Sequence, residues 1–418
     1  MQKLIIKGKK VLSGEIKISG SKNASLPILA ASILTKKTTL RNIPEVNDIF
    51  TMINLLKSIG FKCNFKKKEK SITISSNKLH TQNNVAPYRL VKTMRAGVLV
   101  LGPMLNKFRK AKVSLPGGCA IGSRPVDLHL MALKKLGAKI KIKNGYIHAK
   151  SDDGLKGAKI SFSKISVGAT ENAILAAFGA KGKTVLSNCA VEPEIKDLIR
   201  YLNKIGGKIT TKDRKIFING VKKVKSISYR VMQDRIELGT YVVAASLVGK
   251  KIAFKNVEPN LIKTELKVLR KMGVKIKVSK NKILIFGNKQ LKKIYLKTAP
   301  YPGFPTDLQA QIMVLMTQAN GVSKISENIF ENRFMHVSEL KRMGADITIK
   351  NNQAFIRGPT HLSGAEVMAT DLRASVSLVL AALIADNRTI INRIYHLDRG
   401  YENLEKKLKF CKANIKRV

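Results

Sequence analysis

Residues 133–140 read Leu133-Lys134-Lys135-Leu136-Gly137-Ala138-Lys139-Ile140, and this pattern recurs along the chain. It combines an amphipathic stretch, a glycine, and a run of alternating apolar and lysine residues. Five further copies align on the position of Gly137, at Gly60, Gly206, Gly273, Gly344 and Lys412. The intervals between successive copies are 77, 69, 67, 71 and 68 residues, and such regularity indicates a repeat architecture. Each copy predicts a helix that ends at a glycine C-cap and is followed by a strand.

A second and more apolar helix is predicted between these copies. Examples are residues 24–31, 173–177, 241–247 and 375–383. A helix that is apolar on nearly every side belongs in the interior of a domain. One repeat is therefore about 70 residues of helix, strand, helix and strands. We predict an α/β protein with three such repeats per domain and the apolar helices inside.

The last repeat is incomplete, because the chain ends at Val418 before the segment that follows the other hairpins, such as residues 155–162. Residues 11–20 resemble that segment, so we expect residues 1–21 to complete the sixth repeat. This predicts an N-terminal domain of residues 22–229 and a discontinuous C-terminal domain of residues 1–21 plus 230–418. Functional groups are then expected in the cleft between the two domains.

The 418-residue chain is 44% hydrophobic and carries a formal net charge of +51. Such a charge would suit a protein that binds nucleic acid through its phosphates. However, 60 of the 78 cationic residues are lysines spread through almost every predicted helix and strand, aromatic residues make up only 6%, and tryptophan is absent. We therefore expect no specific nucleic-acid partner.

The first ten residues lack the apolar stretch of a secretory signal, and no later run approaches the roughly 18 apolar residues of a membrane span. The four cysteines show no spacing typical of a disulfide framework or a zinc site. We expect a cytoplasmic protein without membrane insertion, metal or cofactor. The sequence does not specify an oligomeric state.

Polar and charged residues precede each apolar helix, at residues 21–23, 94–95, 164–170, 234–235, 304–307 and 370–373. Helix N-termini present free N–H groups to anions, and a lysine or arginine there strengthens such a site. In any single copy these residues could equally be helix caps with solvated cations beside them. Their recurrence in six copies favours a ligand cleft.

Cys119 lies among three glycines in residues 115–129, with Arg124 five positions later and a helix predicted to start at Pro125. The glycines allow the backbone to approach a ligand closely. A guanidinium and a helix N-terminus both favour negative charge beside the sulfur. The pattern indicates a reactive thiol rather than a structural one.

Several of these motifs together resemble the UDP-N-acetylglucosamine enolpyruvyl transferases, or 1-carboxyvinyltransferases, of the EPSP synthase superfamily. The resemblance covers essentially the whole chain, and its motifs are residues 20–24, 115–129, 166–170, 304–307, 331–336, 369–374 and 395–402. It implies a fold of two inside-out α/β domains with three repeats each.

The resemblance also implies a reaction. Members of this family begin peptidoglycan synthesis by transferring the enolpyruvyl group of phosphoenolpyruvate to the 3′-hydroxyl of UDP-N-acetylglucosamine, with release of phosphate. Cys119 matches the family's acid, which can also add covalently to phosphoenolpyruvate and reacts with fosfomycin. Asp307 matches the base. The Cys119 loop matches a mobile lid.

Binding residues follow from the same resemblance. Lys22, Arg124 and Arg399 match residues that hold the phosphate and carboxylate of phosphoenolpyruvate. The positions that match substrate-binding residues, most of them for UDP-N-acetylglucosamine, are Asn23, Arg95, Arg124, Pro125, Val126, Asp127, Leu128, Lys164, Ile165, Ser166, Val167, Asp307, Ile329 and Arg373.

Three alternatives stay open. The sister enzyme 5-enolpyruvylshikimate-3-phosphate synthase shares the fold and the reaction, but it has no cysteine lid with the motif around Cys119. A nonspecific nucleic-acid-binding protein would explain the net charge but not the charged helix starts. An inactive relative would not be expected to keep the whole catalytic set.

Overall fold

The computed structural model describes residues 2–76, 84–117, 125–287 and 290–418, which fall into two compact units. The described residues of 20–117 and 125–232 form one unit, and those of 2–19 and 233–418 form the other. Each unit has its own core of buried aliphatic side chains. Within the described ranges, no helix combines the length and apolarity needed to cross a membrane.

The elements follow one another in a recurring order. The N-terminal strands are β1 (Leu4–Lys7) and β2 (Leu12–Glu15). The first repeat comprises α1 (Lys22–Ala31), β3 (Lys37–Arg41), α2 (Asn47–Ser58), β4 (Phe61–Lys66) and β5 (Ser71–Ser76). The second comprises β6 (Val85–Ala86), α3 (Tyr88–Val91), α4 (Leu101–Phe108), β7 (Lys110–Ser114), α5 (Asp127–Lys135), β8 (Lys139–Lys143) and β9 (Tyr146–Lys150). The third comprises β10 (Lys159–Ser161), α6 (Val167–Ala177), β11 (Lys183–Ser187), α7 (Pro193–Lys204), β12 (Lys208–Lys212), β13 (Lys215–Asn219) and β14 (Ile227–Arg230).

The other unit continues the same order. Its first repeat comprises α8 (Arg235–Val248), β15 (Gly249–Lys255), α9 (Lys263–Lys271), β16 (Lys275–Ser279) and β17 (Lys282–Phe286). The next comprises β18 (Leu291–Lys292), β19 (Tyr295–Lys297), α10 (Gln309–Met316), β20 (Ala319–Ser326), α11 (Val337–Arg342), β21 (Asp346–Lys350) and β22 (Gln353–Gly358). The last comprises β23 (Glu366–Met368), α12 (Leu372–Ile384), β24 (Arg388–Asn392), α13 (Leu404–Phe410) and β25 (Asn414–Arg417).

The predicted glycine C-caps are confirmed. All five repeat glycines have positive φ, for example 93° at Gly137 and 115° at Gly206. Only glycine adopts this left-handed conformation without steric cost, which explains why the residue recurs there. Lys412 takes the equivalent place in the sixth repeat and has a φ of 75°, so the backbone keeps the turn although the glycine is lost.

The apolar helices are buried as predicted. In one unit α1 and α6 are buried along almost their whole length, and in the other α8, α10 and α12 are equally enclosed. Amphipathic helices such as α7 and α9 pack one face on the core and expose lysines. The α/β fold with helices inside each three-repeat unit is therefore confirmed.

Among the described residues the strands form six sheets, one for each repeat. In every sheet three strands pair antiparallel with their neighbours, and a parallel strand is added at one edge. This parallel strand lies earlier in the same repeat, except in the first and fourth repeats, where it is β14 or β2. Strand β14, which follows the hairpin β12–β13 at the end of the third repeat, pairs in parallel with β3 of the first repeat. Each unit is therefore closed on itself as a ring of three repeats.

Residues 2–21 contribute strands to two sheets. Strand β1 completes the sixth sheet by pairing with β24 and β25. Strand β2 pairs in parallel with β15 of the fourth repeat, just as β10 of residues 155–162 pairs in parallel with β11. Residues 11–20 and 155–162 are therefore alike because each contains a strand, β2 or β10, that pairs with the edge of the next sheet in its ring.

Candidate functional site

Lys22 is a buried cation at the start of an apolar helix. The preceding Ser21 caps α1, because its hydroxyl accepts a hydrogen bond from the Ala24 N–H at 3.2 Å. The Lys22 ammonium lies 3.2 Å from a carboxylate oxygen of Asp48, and both side chains are about nine-tenths buried. A buried ammonium requires such a partner. Asn23, the next residue, is half-buried, so α1 begins with this buried ion pair followed by a partly accessible polar side chain.

Arg95 contacts the segment that leads into α5. It begins a 3-10 helix, Arg95–Val100, and its guanidinium donates a hydrogen bond to the Pro125 carbonyl at 3.1 Å. Pro125 and Asp127 are exposed, whereas Val126 and Leu128 are buried. The structure thus brings two sequence-predicted binding segments into contact although they are 30 residues apart.

The segment 164–167 leads into α6. Ser166 caps the helix by accepting a hydrogen bond from the Ala169 N–H at 3.3 Å. Lys164 is exposed, Ile165 is half-buried, and Val167 is 37% exposed. Lys164 and Val167 are therefore accessible to a ligand at the helix start.

His129 lies behind these two helix starts. Its ring nitrogen Nδ1 lies 3.2 Å from the Asn172 amide nitrogen. A Cβ added to Gly168 would lie 3.2 Å from the same ring, so α5 and α6 approach closely at this glycine. His129 is a buried, hydrogen-bonded residue of the core, as expected for a histidine without paired metal ligands.

Asp307 is held between two buried arginines in the other unit. It lies in a 3-10 helix, Thr306–Leu308, directly before α10. One carboxylate oxygen is 2.9 Å from the Arg333 guanidinium, and the other is 3.2 Å from the Arg373 guanidinium. The arginine side chains are 6% and 5% exposed, whereas that of Asp307 is 29% exposed. The carboxylate is fixed in direction yet accessible, as a general base must be.

Arg373 stays charged despite its burial. Burial acts to lower its pKa, but the negative charge of Asp307 and the neighbouring Tyr401 and Asp234 raise the pKa above its ordinary value. Its guanidinium carbon lies 5.6 Å from the centre of the Tyr401 ring. Asp371 caps the same helix by accepting a hydrogen bond from the Arg373 N–H at 2.8 Å. The helix start therefore places a permanent positive charge beside Asp307.

Glu327 links Ile329 to Thr306, the residue before Asp307. One Glu327 carboxylate oxygen accepts a hydrogen bond from the Ile329 N–H at 2.8 Å, and the other accepts one from the Thr306 hydroxyl at 2.9 Å. Glu327 is only 3% exposed. The buried carboxylate thus joins the predicted binding loop to the residue next to the predicted base.

Arg399 ends the 3-10 helix Ile394–Arg399 and is half-buried. Its charge reaches His396, whose pKa is lowered first by burial and then by Arg399. Cys119 and Arg124 lie outside the described residues.

The chain is similar to known proteins along its full length. Residues 6–408 match the family model of EPSP synthase (3-phosphoshikimate 1-carboxyvinyltransferase). The chain is 60% identical over 420 residues to the UDP-N-acetylglucosamine 1-carboxyvinyltransferase of Pelagibacter ubique, with all of both chains covered. The protein of that name from Rickettsia bellii is 52% identical, also over the full length of both. The chain belongs to the UDP-N-acetylglucosamine 1-carboxyvinyltransferase family.

Solved structures agree with this carboxyvinyltransferase fold. The enolpyruvyl transferase NikO from Streptomyces tendae superposes with a TM-score of 0.88 at 22% identity, covering 100% of this chain and 99% of the other. EPSP synthase from Acinetobacter baumannii superposes with a TM-score of 0.78 at 18% identity and the same coverage. At these identities the likeness shows the fold alone.

Among the contacts that could not be predicted from the sequence are two at the start of α10, made by Arg333 and Glu327. Arg333 lies in the motif of residues 331–336, which predicts no particular role for it, and Glu327 lies in none of the motifs. Arg333 is 26 residues from Asp307, and Glu327 is 21 residues from Thr306, so no local pattern indicates either pairing. The one available signal was an arginine inside the motif of residues 331–336.

Proposed function

We propose that this chain transfers the enolpyruvyl group of phosphoenolpyruvate to the 3′-hydroxyl of UDP-N-acetylglucosamine, with release of phosphate, as the first committed step of peptidoglycan synthesis in the cytoplasm. The observation that carries the proposal is the 60% identity, over the full length of both chains, to the Pelagibacter enzyme of that name. The cationic starts of the buried helices support it, because both substrates are anions.

The reaction is an addition followed by an elimination. An acid protonates the methylene carbon of phosphoenolpyruvate, and the neighbouring carbon becomes a cationic centre that the sugar hydroxyl attacks. A base takes the hydroxyl proton as the new carbon–oxygen bond forms. The bond to phosphate then breaks, and the methyl carbon loses a proton, which restores the double bond. Cations are needed throughout to stabilise the substrate charges.

Asp307 is the proposed base. Its carboxylate is oriented by the two arginines, Arg333 and Arg373, and remains accessible. Cys119 is the proposed acid, on the strength of the family resemblance. In this proposal Cys119 donates a proton to the methylene carbon of phosphoenolpyruvate, and Asp307 accepts the proton of the sugar hydroxyl.

Lys22, Arg124 and Arg399 are the proposed ligands of phosphoenolpyruvate, and Arg373 is a further proposed substrate-binding residue. We propose that UDP-N-acetylglucosamine is bound by Asp307, Ile329 and the helix-start residues of the other unit: Asn23, Arg95, Arg124, Pro125, Val126, Asp127, Leu128, Lys164, Ile165, Ser166 and Val167. In this proposal residues 22–229 act as one domain, and residues 1–21 plus 230–418 act as the other.

The test is phosphate release from phosphoenolpyruvate by the full chain, with either UDP-N-acetylglucosamine or shikimate 3-phosphate as the acceptor. We expect release with the nucleotide sugar only. Release with shikimate 3-phosphate alone would favour the sister activity, and no release with either would refute the transferase proposal. Fosfomycin should inactivate the wild-type chain but not a Cys119→Asp variant.

A further inference from the structure

The outer face of the sheet β6-β7-β9-β8 gathers lysines that are dispersed in the sequence. Strand register places three rows of side chains across β7, β9 and β8. The rows are Lys110, Lys150 and Lys139; Lys112, His148 and Lys141; and Ser114, Tyr146 and Lys143. Six of these nine positions are lysines, and five of the six are exposed. The opposite face of the same strands carries Ala111, Val113, Ile147 and Ala149, which are buried in the core.

Like charges directly opposite one another in a sheet destabilise it. In the first row the repulsion between lysines is reduced by Asp152, whose carboxylate lies 3.2 Å from the Lys139 ammonium and 2.6 Å from that of Lys150. Its pKa is lowered by these two lysines, first by Lys150. The other two rows contain no carboxylate in register. A face of this kind is complementary to a polyanion.

Two tyrosines adjoin the third row. The Lys112 ammonium lies 4.9 Å from the centre of the Tyr146 ring, and the Tyr146 hydroxyl accepts a hydrogen bond from the Tyr88 N–H at 3.2 Å. Tyr88 is 54% exposed, and Lys92 lies 5.2 Å from its ring centre. The face therefore offers aromatic rings interleaved with cations.

The equivalent strand of the next repeat differs in the middle of the face. Strand β12 has Lys208 and Lys212 where β8 has Lys139 and Lys143, but Thr210 replaces Lys141. The middle row there is Val185, Phe217 and Thr210, which is uncharged. Both sheets are therefore basic, but of the two only the β8 sheet has lysines in every row of its outer face.

We infer that this face, defined by the positions above other than the buried Ser114 together with Tyr88 and Lys92, binds single-stranded nucleic acid without sequence preference. Cations in regular rows follow a phosphate backbone, since alternate residues of a strand recur about every 6.7 Å, and an exposed aromatic ring such as that of Tyr88 stacks on a base. A lipid surface would be attracted by any of the basic faces and would need neither the rows nor the tyrosines. The binding is independent of the transferase activity.

The test compares two double variants of the full chain with the same change in charge. K139E/K143E alters the β8 face, and K208E/K212E alters the matched β12 face. Binding of a fluorescein-labelled oligouridylate is followed by anisotropy over a range of salt concentrations. Loss of two phosphate contacts should lower the slope of log K against log salt by about 1.4 and weaken binding roughly tenfold at low salt in K139E/K143E only.

Several results would overturn the inference. Equal losses in both variants would show that net charge alone governs binding, and absence of binding by the wild-type chain would remove the site. Binding to vesicles of phosphatidylglycerol and phosphatidylcholine, lost in K139E/K143E, without binding of the oligonucleotide would assign the face to a membrane. Circular dichroism and thermal unfolding establish that each variant is folded, and Lys141→Thr, which copies the β12 face, provides a milder variant that should weaken binding in the same direction.

Discussion

The Asp307 carboxylate lies 2.9 Å from the Arg333 guanidinium, and the two residues precede successive helices, α10 and α11, of one repeat. Arg333 also lies 3.4 Å from the Thr306 carbonyl, to which it donates a hydrogen bond. It therefore fixes both the side chain and the backbone at the start of α10. If Asp307 is the base, as proposed above, Arg333 acts through it and is a positioning residue.

Arg333→Met should lower kcat by about tenfold to a hundredfold, because a base displaced by about 1 Å loses that much of its effect. The KM for phosphoenolpyruvate should change less. Steady-state phosphate release measures both constants. Arg342→Met is the matched control, since Arg342 is exposed and pairs with Glu339 on α11. A similar loss of kcat in both variants would contradict the role of Arg333.

The buried pair of Lys22 and Asp48 should show strong coupling. Asp48→Ala leaves the Lys22 ammonium buried beside a cavity, so the free energy of unfolding should fall by about 3 kcal/mol. In a double-mutant cycle with Lys22→Met, the coupling energy should be about 1–3 kcal/mol. Urea denaturation of the four proteins measures it, and additive losses would show that the contact at 3.2 Å contributes nothing.

His336 should make stability depend on pH. Burial lowers its pKa from the ordinary 6.5 to about 4, with a further lowering by Arg333 that Asp371 partly opposes. The unfolded chain binds the proton more tightly, so this contribution is present above pH 6.5 and is lost as the pH falls to 4. The loss should be about 3 kcal/mol.

The pH dependence is measured by urea denaturation between pH 4 and 7. His336→Gln should remove most of the decline across this window, although it also lowers stability at pH 7. His148→Gln, at a half-buried site, should leave the decline intact. A decline of unchanged size in His336→Gln would place the titrating group elsewhere.

Cys119 should tolerate one replacement and not another. Cys119→Ser replaces the thiol by a hydroxyl, which is a much weaker acid, and should lose most turnover. Cys119→Asp keeps a group that can donate the proton and should retain turnover. Phosphate release with both substrates compares the two variants. Equal loss in both would argue against the role of Cys119 as the acid.

The repeats could be predicted from the sequence because their signals are local. An apolar helix, a glycine at positive φ and a strand of alternating residues are each determined by neighbours within a few positions, and Gly137 and Gly206 are found in that conformation. The partner of β2 could not be predicted this way, since any free sheet edge accepts such a strand. The same holds for the site. Lys22 and Asp307 were found through motifs, whereas Asp48 and Arg333 follow only from contacts across 26 residues.

The ring of strand pairing in each unit has a consequence for how many repeats it can contain. In an open solenoid, the end repeats expose a sheet edge that must be capped, and repeats can be added or removed singly. Here β14 returns to β3 and β2 pairs with β15, so neither unit has an end. Deleting one repeat would leave two unmatched edges at once, and inserting a fourth would require the ring to open. The number three is thus set by closure, and each unit should unfold as a whole rather than repeat by repeat.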